Sequence, residues 1–340
     1  MTTKFQLPKE AAQAHLDQAE KRIDTKVQML RDQGYRQDAI SFSKSQLDQL
    51  ESTIYDVLYA NPRDAFSLIP LNTSLRDGMQ EWSYRMIEKL GLAKVVADGA
   101  TDRPMIDADL TKSTVPVYEF GAGYTFTVGD SARSGAILDF DYVMEKARFA
   151  AESIALAHNE YAFVGGSGVT GGNSSITGFL NNATVVGNKP TLTDNDWTTV
   201  TGANAYLTIR DMITDVNAGS SGVHSATDVV LSTFCWNLVS GTLLDSTGSS
   251  QTVLSALRQN YPDVNFTRSA SCNGRGTGGI DRNVAYQRSS ANAEYVAGPV
   301  YDEASPDKAG FRYTVHSRGR SAGTVVRRPL SMVYGDITVA

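Results

Sequence analysis

The sequence predicts an α+β protein in which a helical arm, a long β-hairpin and a long helix precede an α/β unit and a terminal β segment. Three observations carry this prediction. Apolar residues recur every three or four positions over residues 1–60, which is typical of amphipathic helices. Alternating, β-prone segments flank a polar stretch at 98–113. An alanine-rich apolar stripe with helical spacing then runs through residues 138–164.

The bulk properties exclude several classes of protein. The chain has 340 residues, 41% hydrophobic and 20% charged, which favours a packed core over disorder. Its net charge of −6 argues against a free, sequence-specific DNA-binding protein. The two cysteines are far apart in the chain and form no C-x-x-C pattern, so the sequence predicts neither a disulfide framework nor a zinc site. We expect a soluble protein with no membrane partner, since no segment has the apolar length of a membrane span or a signal peptide.

The hairpin is predicted from two alternating segments. In 81–87, Trp82 and Tyr84 fall on one face, as strand periodicity requires. The returning strand is predicted at 115–128, with the polar stretch 98–113 as the tip. Arms of about 14 residues would extend roughly 45 Å. Because a two-stranded ribbon is marginally stable in water, we expect it to pack against a neighbouring subunit.

The long helix is predicted to span 138–164 and to end at Gly165. Asp139 and Asp141 lie near its start, where the helix dipole favours acidic residues. His158 is interpreted as a packed histidine rather than a catalytic one. The residues of the apolar stripe are Val143, Ala147, Ala150, Ile154, Ala157 and Tyr161.

An α/β unit is predicted to follow. Its elements are a helix at 196–217, a buried strand at 228–231 with a short helix after it, and a helix that ends before Pro262 and leads into a strand. From Arg282 onward the chain is predicted to be rich in β-strands.

The stretch GGSGVTGGNSSITGFLNN at 165–182 raises the possibility of a phosphate-binding loop. Such loops lie between a strand and a following helix and carry a lysine followed by serine or threonine. Here the glycines follow a helix, and that lysine is missing. We therefore predict that the glycines give the backbone conformational freedom. The stretch would then form a flexible loop that leaves the helix and folds back over a sheet. The candidate loop residues are Gly165, Gly166, Gly171 and Gly172.

No catalytic residue, cofactor or metal site is predicted. The four histidines are scattered, and the paired acids Asp107/Asp109 and Asp302/Glu303 are interpreted as residues of solvated loops. The arginines near the carboxy terminus allow two interpretations: ion pairs with acids such as Asp302, Glu303 and Asp307, which we favour, or contact with a polyanion. These arginines are Arg312, Arg318, Arg320, Arg327 and Arg328.

The order of these segments resembles the major capsid proteins of tailed bacteriophages, of the Hong Kong 97 type, and the related encapsulins. SLIPLNTSLRDGMQEWSYRMIEKLGLAKVV resembles the start of that family's extended loop, and VPVYEFGAGYTFTV its return into the spine helix. ITGFLNN resembles the G-[LF]-L-N sequence that follows the spine helix, and GTVVRRPLSMVYGDI the closing strands. The resemblance covers residues 67–337.

The resemblance implies an N-terminal helical arm (1–66), an extended β-hairpin loop (67–130), a peripheral domain with the spine helix (131–195 and 294–340) and an axial domain (196–293). It also implies hexamers and pentamers that assemble in the host cytoplasm into a virion shell around double-stranded DNA. Portal, scaffolding or decoration proteins are further expected partners. The alternative is an encapsulin-like compartment. Candidate subunit-interface residues are Trp82, Tyr84, Arg85, Lys89, Lys94, Arg103, Tyr118 and Tyr124.

Overall fold

The computed structural model describes residues 64–95, 105–130, 142–173, 176–187, 190–245 and 250–339. The helical arm predicted for residues 1–60, the candidate Arg103 and the predicted helix start with Asp139 and Asp141 lie outside these ranges.

The elements are numbered in chain order. The strands are β1 (Leu71–Asn72), β2 (Glu81–Leu90), β3 (Asp107–Pro116), β4 (Tyr118–Thr127), β5 (Asp228–Leu231), β6 (Asn265–Arg268), β7 (Asp281–Tyr286), β8 (Ala293–Ala297), β9 (Asp302–Glu303), β10 (Asp307–Ala309), β11 (Arg312–Val326) and β12 (Met332–Ile337). The α-helices are α1 (Ala65–Leu68), α2 (Tyr142–Val164), α3 (Ala183–Gly187), α4 (Gly202–Gly219), α5 (Thr233–Gly241) and α6 (Val253–Asn260).

The hairpin exists, but its returning strand differs from the prediction. β2 pairs antiparallel with β3, from Glu81 opposite Pro116 to Leu90 opposite Asp107. β3 therefore lies largely in the stretch predicted to be a polar tip, and Asp107 and Asp109 are strand residues rather than loop residues. The prediction failed because β3 is almost wholly exposed, so no apolar alternation marks it. Each arm has ten residues, or roughly 33 Å.

The segment predicted as the returning strand turns away from the hairpin instead. Its main part forms β4, which pairs antiparallel with β11 from Tyr118 opposite Ser321 to Thr127 opposite Arg312. β11 is the hub of a six-stranded sheet that also contains β1, β8, β9 and β10. Asp302 and Glu303 lie in β9 of this sheet, so they too are strand residues.

The long helix is confirmed as α2, and it packs on β4 and β11. Ala150, Ile154 and Tyr161 of the predicted stripe are buried. His158 is completely buried on the same side, which confirms that it is a packed residue.

The predicted α/β unit is confirmed as a four-stranded sheet in the order β12-β7-β5-β6, with α4, α5 and α6. The first of these helices begins later than predicted, because the hydroxyl of Thr201 caps it by accepting from the N–H of Asn204. β12 comes from the terminal segment assigned to the peripheral domain, yet it pairs with β7 of the axial segment. The domain boundaries themselves stay a prediction.

The four-stranded sheet lies between two apolar cores. Val230, Val284 and Tyr334 belong to the core that also contains the end of α2. Val229 adjoins Val230 in the sequence and Val333 adjoins Tyr334, so their side chains point to the opposite face of the sheet. They belong to the core formed with α4, α5 and α6. This sheet thus ties the end of the long helix to the α/β unit.

Candidate assembly surfaces and the turn after the long helix

The base of the hairpin packs on its own chain. Trp82 and Tyr84 are half-buried, and the guanidinium of Arg327 lies 5.5 Å from the centre of the Tyr84 ring. Both predicted interface residues therefore have intramolecular partners, which the sequence pattern did not reveal. The buried residues they pack against are Leu75, Val296, Ala322 and Val325.

The outer part of the hairpin presents apolar side chains to solvent. Ile87 is 74% exposed, although it lies directly opposite Leu110. Large apolar residues exposed together mark interaction surfaces, whereas single ones need no explanation. The exposed apolar residues of β2, β3 and the adjoining described segments are Met86, Ile87, Leu90, Leu92, Val95, Met105, Ile106 and Leu110.

Beyond its base, the hairpin separates its charges by face. Residues directly opposite each other in an antiparallel pair share a face, and successive residues alternate. Arg85 lies opposite Lys112, and Lys89 follows on that face. Glu88 lies opposite Asp109 on the other face, where Leu90 lies opposite a third acid, Asp107. We call these surfaces the basic face and the acidic face. Within the described ranges, none of these six charged residues forms an ion pair.

The remaining predicted interface residues lie elsewhere. Tyr118 is half-buried against the core, with its ring 6.1 Å from that of Tyr161. The hydroxyl of Tyr124 donates to Glu303 at 2.7 Å, and burial together with that carboxylate raises the pKa of Tyr124 to about 12. Lys94 lies in the exposed segment just beyond β2.

The glycine-rich turn after α2 is tightly packed. Gly165 has a φ of +72°, and a short 3-10 turn continues to Gly168. A Cβ on Gly166 would lie 1.9 Å from the carbonyl oxygen of Asn173, and one on Gly172 would lie 2.3 Å from that of Gly166. Gly171 has a φ of +79° and open space around it. The glycines thus serve close backbone approach as well as backbone freedom, and the described part of this stretch forms a compact turn.

The GFLN sequence closes this turn. Asn181 accepts from the N–H of Gly178 at 2.5 Å and donates to the carbonyl of Val164, the last residue of α2, at 2.7 Å. A Cβ on Gly178 would collide with the Phe163 carbonyl at 2.5 Å. The side chains of Phe179 and Leu180 are completely buried. Each position of the sequence therefore has a defined role in ending the helix and returning the chain to the core.

A buried ion pair fastens the turn to the four-stranded sheet. The guanidinium of Arg282 in β7 donates to both carboxylate oxygens of Asp336 in β12, at 2.6 and 2.8 Å. It also donates to the carbonyl of Leu180 at 2.7 Å and lies over the ring of Tyr334. The planar guanidinium suits this bidentate geometry. The sequence did not predict this pair, because its members are 54 residues apart.

His158 fixes the middle of α2 on the six-stranded sheet. Its Nδ1 lies 2.7 Å from the hydroxyl of Tyr295 and its Nε2 lies 3.1 Å from the carbonyl of Val300. Since a carbonyl only accepts, Nε2 carries the proton and Nδ1 accepts from the tyrosine. Burial lowers the pKa of His158 to about 4, although the Val300 carbonyl opposes this.

Ion pairing of the carboxy-terminal arginines is confirmed for three of the five. Arg318 pairs with the predicted Asp302 at 2.9 Å, and also with Asp77 and Glu119. Arg320 pairs with the same Asp77 and Glu119. Arg327 pairs with Glu294. Arg312 instead donates to the hydroxyl of Thr125, and Arg328 is exposed, with no ion pair among the described residues.

Comparison with known proteins identifies the family. The sequence model described as "Major capsid protein" matches residues 91–337, more than half of the chain. The chain belongs to the major capsid protein family. A search of curated proteins finds no match.

Solved capsid structures share the fold. The capsid of Myoviridae phage XM1 superposes with a TM-score of 0.73 at 21% identity, covering 86% of this chain and 97% of that one. Mycobacterium phage Ogopogo gives a TM-score of 0.55 at 13% identity, covering 88% and 98%. The capsid of a native GTA particle gives 0.54 at 12% identity, covering 86% and 95%. The fold is the Hong Kong 97-type capsid fold, and membership of the major capsid protein family makes the chain a structural subunit of a capsid.

The two cysteines of this capsid protein are not placed as reactive thiols. Cys235 and Cys272 are buried, and burial raises the pKa of Cys235 to about 11, so its thiolate form is disfavoured. In the described ranges, no group of three or more His, Cys, Asp or Glu residues is placed to hold a metal ion. No described helix has the length and apolarity needed to cross a membrane.

Proposed function

We propose that this capsid protein self-assembles into hexamers and pentamers that close an icosahedral shell around double-stranded DNA. The observation that carries the proposal is the outer hairpin, whose exposed apolar side chains and unpaired charges lack partners within the described part of the subunit. Burying one large apolar side chain contributes about 2 kcal/mol. A contact of this kind, repeated in every copy, supplies the cohesion of a shell.

The same proposal includes the partners of the shell, which are packaged DNA and other phage head proteins. Contact with the packaged DNA is non-specific. The net charge of −6 is not that of a sequence-specific DNA-binding protein, and scattered cations are enough to contact phosphate groups. Portal, scaffolding and decoration proteins join the shell, and assembly takes place in the host cytoplasm. The subunit itself performs no catalysis.

Electron microscopy of the purified full-length chain, alone and with co-expressed phage head proteins, tests the proposal. We expect closed icosahedral particles with five-fold and six-fold clusters. Particles recovered from infected cells should contain nuclease-protected DNA. Only monomers under all these conditions would contradict the proposal, and particles that hold enzymes in place of DNA would favour the encapsulin-like alternative.

A further inference from the structure

The chain crosses from one apolar core to the other around the edge of the four-stranded sheet. Val185 of α3 belongs to the core at the end of α2, and Trp197 belongs to the core formed with α4, α5 and α6. Between them, residues 190–195 form neither helix nor strand. We call this segment the strap. None of its six residues is buried and three are exposed, so apolar packing contributes little to holding it in place.

A polar stripe along α4 holds the strap. Asp215 accepts from the N–H of Thr191 at 3.1 Å. Asp211 accepts from both the N–H and the hydroxyl of Thr193, at 3.0 and 2.5 Å. Hydrogen bonds to a carboxylate are stronger than those between neutral groups. The residues of the stripe, which their spacing places on one face of the helix, are Asn204, Thr208, Asp211 and Asp215.

The same stripe holds Asp194, near the end of the strap. The hydroxyl of Thr208 accepts from the N–H of Asp194 at 3.2 Å, and the amide of Asn204 donates to the Asp194 carboxylate at 3.3 Å. Just beyond the strap, the N–H of Trp197 donates to the carbonyl of Thr338 at 2.9 Å, and the Trp197 side chain is completely buried. The strap is therefore held by hydrogen bonds along its length and by burial only at Trp197.

Two cavities lie beside the strap, and Pro190 lines both of them. One has a volume of about 300 Å³ and lies on the side of α4. The other has a volume of about 240 Å³ and contains the Arg282–Asp336 pair in its wall, opposite Leu192 of the strap. The strap thus closes the cavity beside this ion pair, and the side chain of Arg282 is only 4% exposed.

We infer that the strap is a releasable lid on the cavity beside the ion pair, with the stripe on α4 as its latch and Trp197 as its fixed end. Release breaks hydrogen bonds that water can replace, and it leaves both apolar cores packed. Opening joins the two cavities beside Pro190 into one groove and admits water to the Arg282–Asp336 pair. The subunit then loosens this internal contact without unfolding α4 or the sheet. The lid is a property of the single subunit and does not depend on the proposed assembly.

Hydrogen exchange of the full-length chain tests whether the strap opens as a unit. Asp211→Ala removes one latch but leaves the acceptors of the Thr191 and Asp194 amides in place. We expect both amides to exchange roughly tenfold faster in this variant, as the loss of one hydrogen bond to a charged group predicts, while amides inside α4 keep their rates. Asp196→Ala is the matched control, because Asp196 also accepts from a backbone N–H and a hydroxyl, those of Thr198, but within its own turn.

Thiol labelling tests whether opening exposes the cavity. Val186 lines the cavity from the side of α3, so Val186→Cys lies behind the lid. A bulky maleimide should label this thiol roughly tenfold faster when Asp211→Ala is added, and no faster when Asp196→Ala is added. The native Cys235 and Cys272 are buried. Asp211→Asn, which removes the charge and keeps the shape, replaces Asp211→Ala in both experiments if the alanine variant does not fold.

Three results would overturn the inference. Faster exchange of the Thr193 amide alone would show that the contacts of the strap open one by one. Equal acceleration of the strap and of amides inside α4 would show that the strap is released only when the helix unfolds. Unchanged labelling of Val186→Cys would show that the cavity stays closed when the latch is weakened.

Discussion

The outer hairpin and the turn after the long helix differ in where their contacts lie. In the turn, Asn181 bonds to Gly178 and to the end of the helix, and the carbonyl of Leu180 receives the buried Arg282. In the outer hairpin, Ile87 is exposed, and the charged residues lack ion-pair partners within the described ranges.

The difference indicates that the contacts of the turn form within one subunit, whereas those of the outer hairpin form between subunits. Changes in the turn should lower the stability of the isolated subunit, because the lost contacts are internal. Changes in the outer hairpin should leave the isolated subunit folded and weaken the shell.

The largest effect is expected at the buried ion pair. Arg282→Ala leaves Asp336 without its guanidinium partner and removes the donor to Leu180, so the free energy of unfolding should fall by about 4 kcal/mol. Arg148→Ala is the control, because Arg148 pairs with Glu145 and Glu152 on the exposed side of α2 and should contribute only about 0.5 kcal/mol. Denaturant unfolding of the subunit measures both. Equal losses would contradict the importance assigned to the buried pair.

The next effect is expected in the compact turn. The Cβ of Gly166→Ala would press on a backbone oxygen that no rotamer change can move, which should cost about 3 kcal/mol of subunit stability. Gly219→Ala is the matched control, since a Cβ there meets nothing within 4 Å. Thermal unfolding of the two variants checks this. A Gly166→Ala subunit as stable as the control would show that the turn is loose.

A pH-dependent effect is expected at His158. Its pKa is about 4 in the folded subunit and about 6.5 when unfolded, so the unfolded chain binds the proton first as the pH falls. Its contribution is fully present above pH 6.5 and is lost between 6.5 and 4, amounting to about 2 kcal/mol between pH 7.5 and 5. His158→Gln should reduce the pH dependence of unfolding by that amount. An unchanged dependence would mean that His158 is not buried in its neutral form.

The smallest effect on the subunit is expected at the outer hairpin. Ile87→Asp should change the free energy of unfolding by about 0.5 kcal/mol or less, because the side chain is 74% exposed. The same change should prevent particle formation, since it places a charge where a neighbouring subunit is proposed to bury an apolar group. Ile87→Leu should retain assembly. Normal particle yield from Ile87→Asp would show that Ile87 is not buried between subunits.

The sequence predicts elements well where a buried face imposes a period. The stripe of the long helix and the strand at 228–231 are confirmed because their apolar spacing records burial. β3 was not predicted because it is almost wholly exposed, so no apolar alternation marks it in the sequence. Neither the intramolecular packing of Trp82 nor the Arg282–Asp336 ion pair was predicted, because each joins residues that are far apart in the chain. The GFLN sequence suggested the family, but its hydrogen bonds emerged only from the geometry.

Hydrogen exchange before and after assembly tests the central claim most directly. Amides of β2 and β3 should exchange rapidly in the isolated subunit and slowly in particles, because a two-stranded ribbon is marginally stable until a neighbour covers it. Amides of Phe179 and Leu180, which donate to the end of α2, should be protected in both states. Protection of the hairpin that is already high in the free subunit, or that does not increase on assembly, would contradict the claim that the hairpin is completed by the shell.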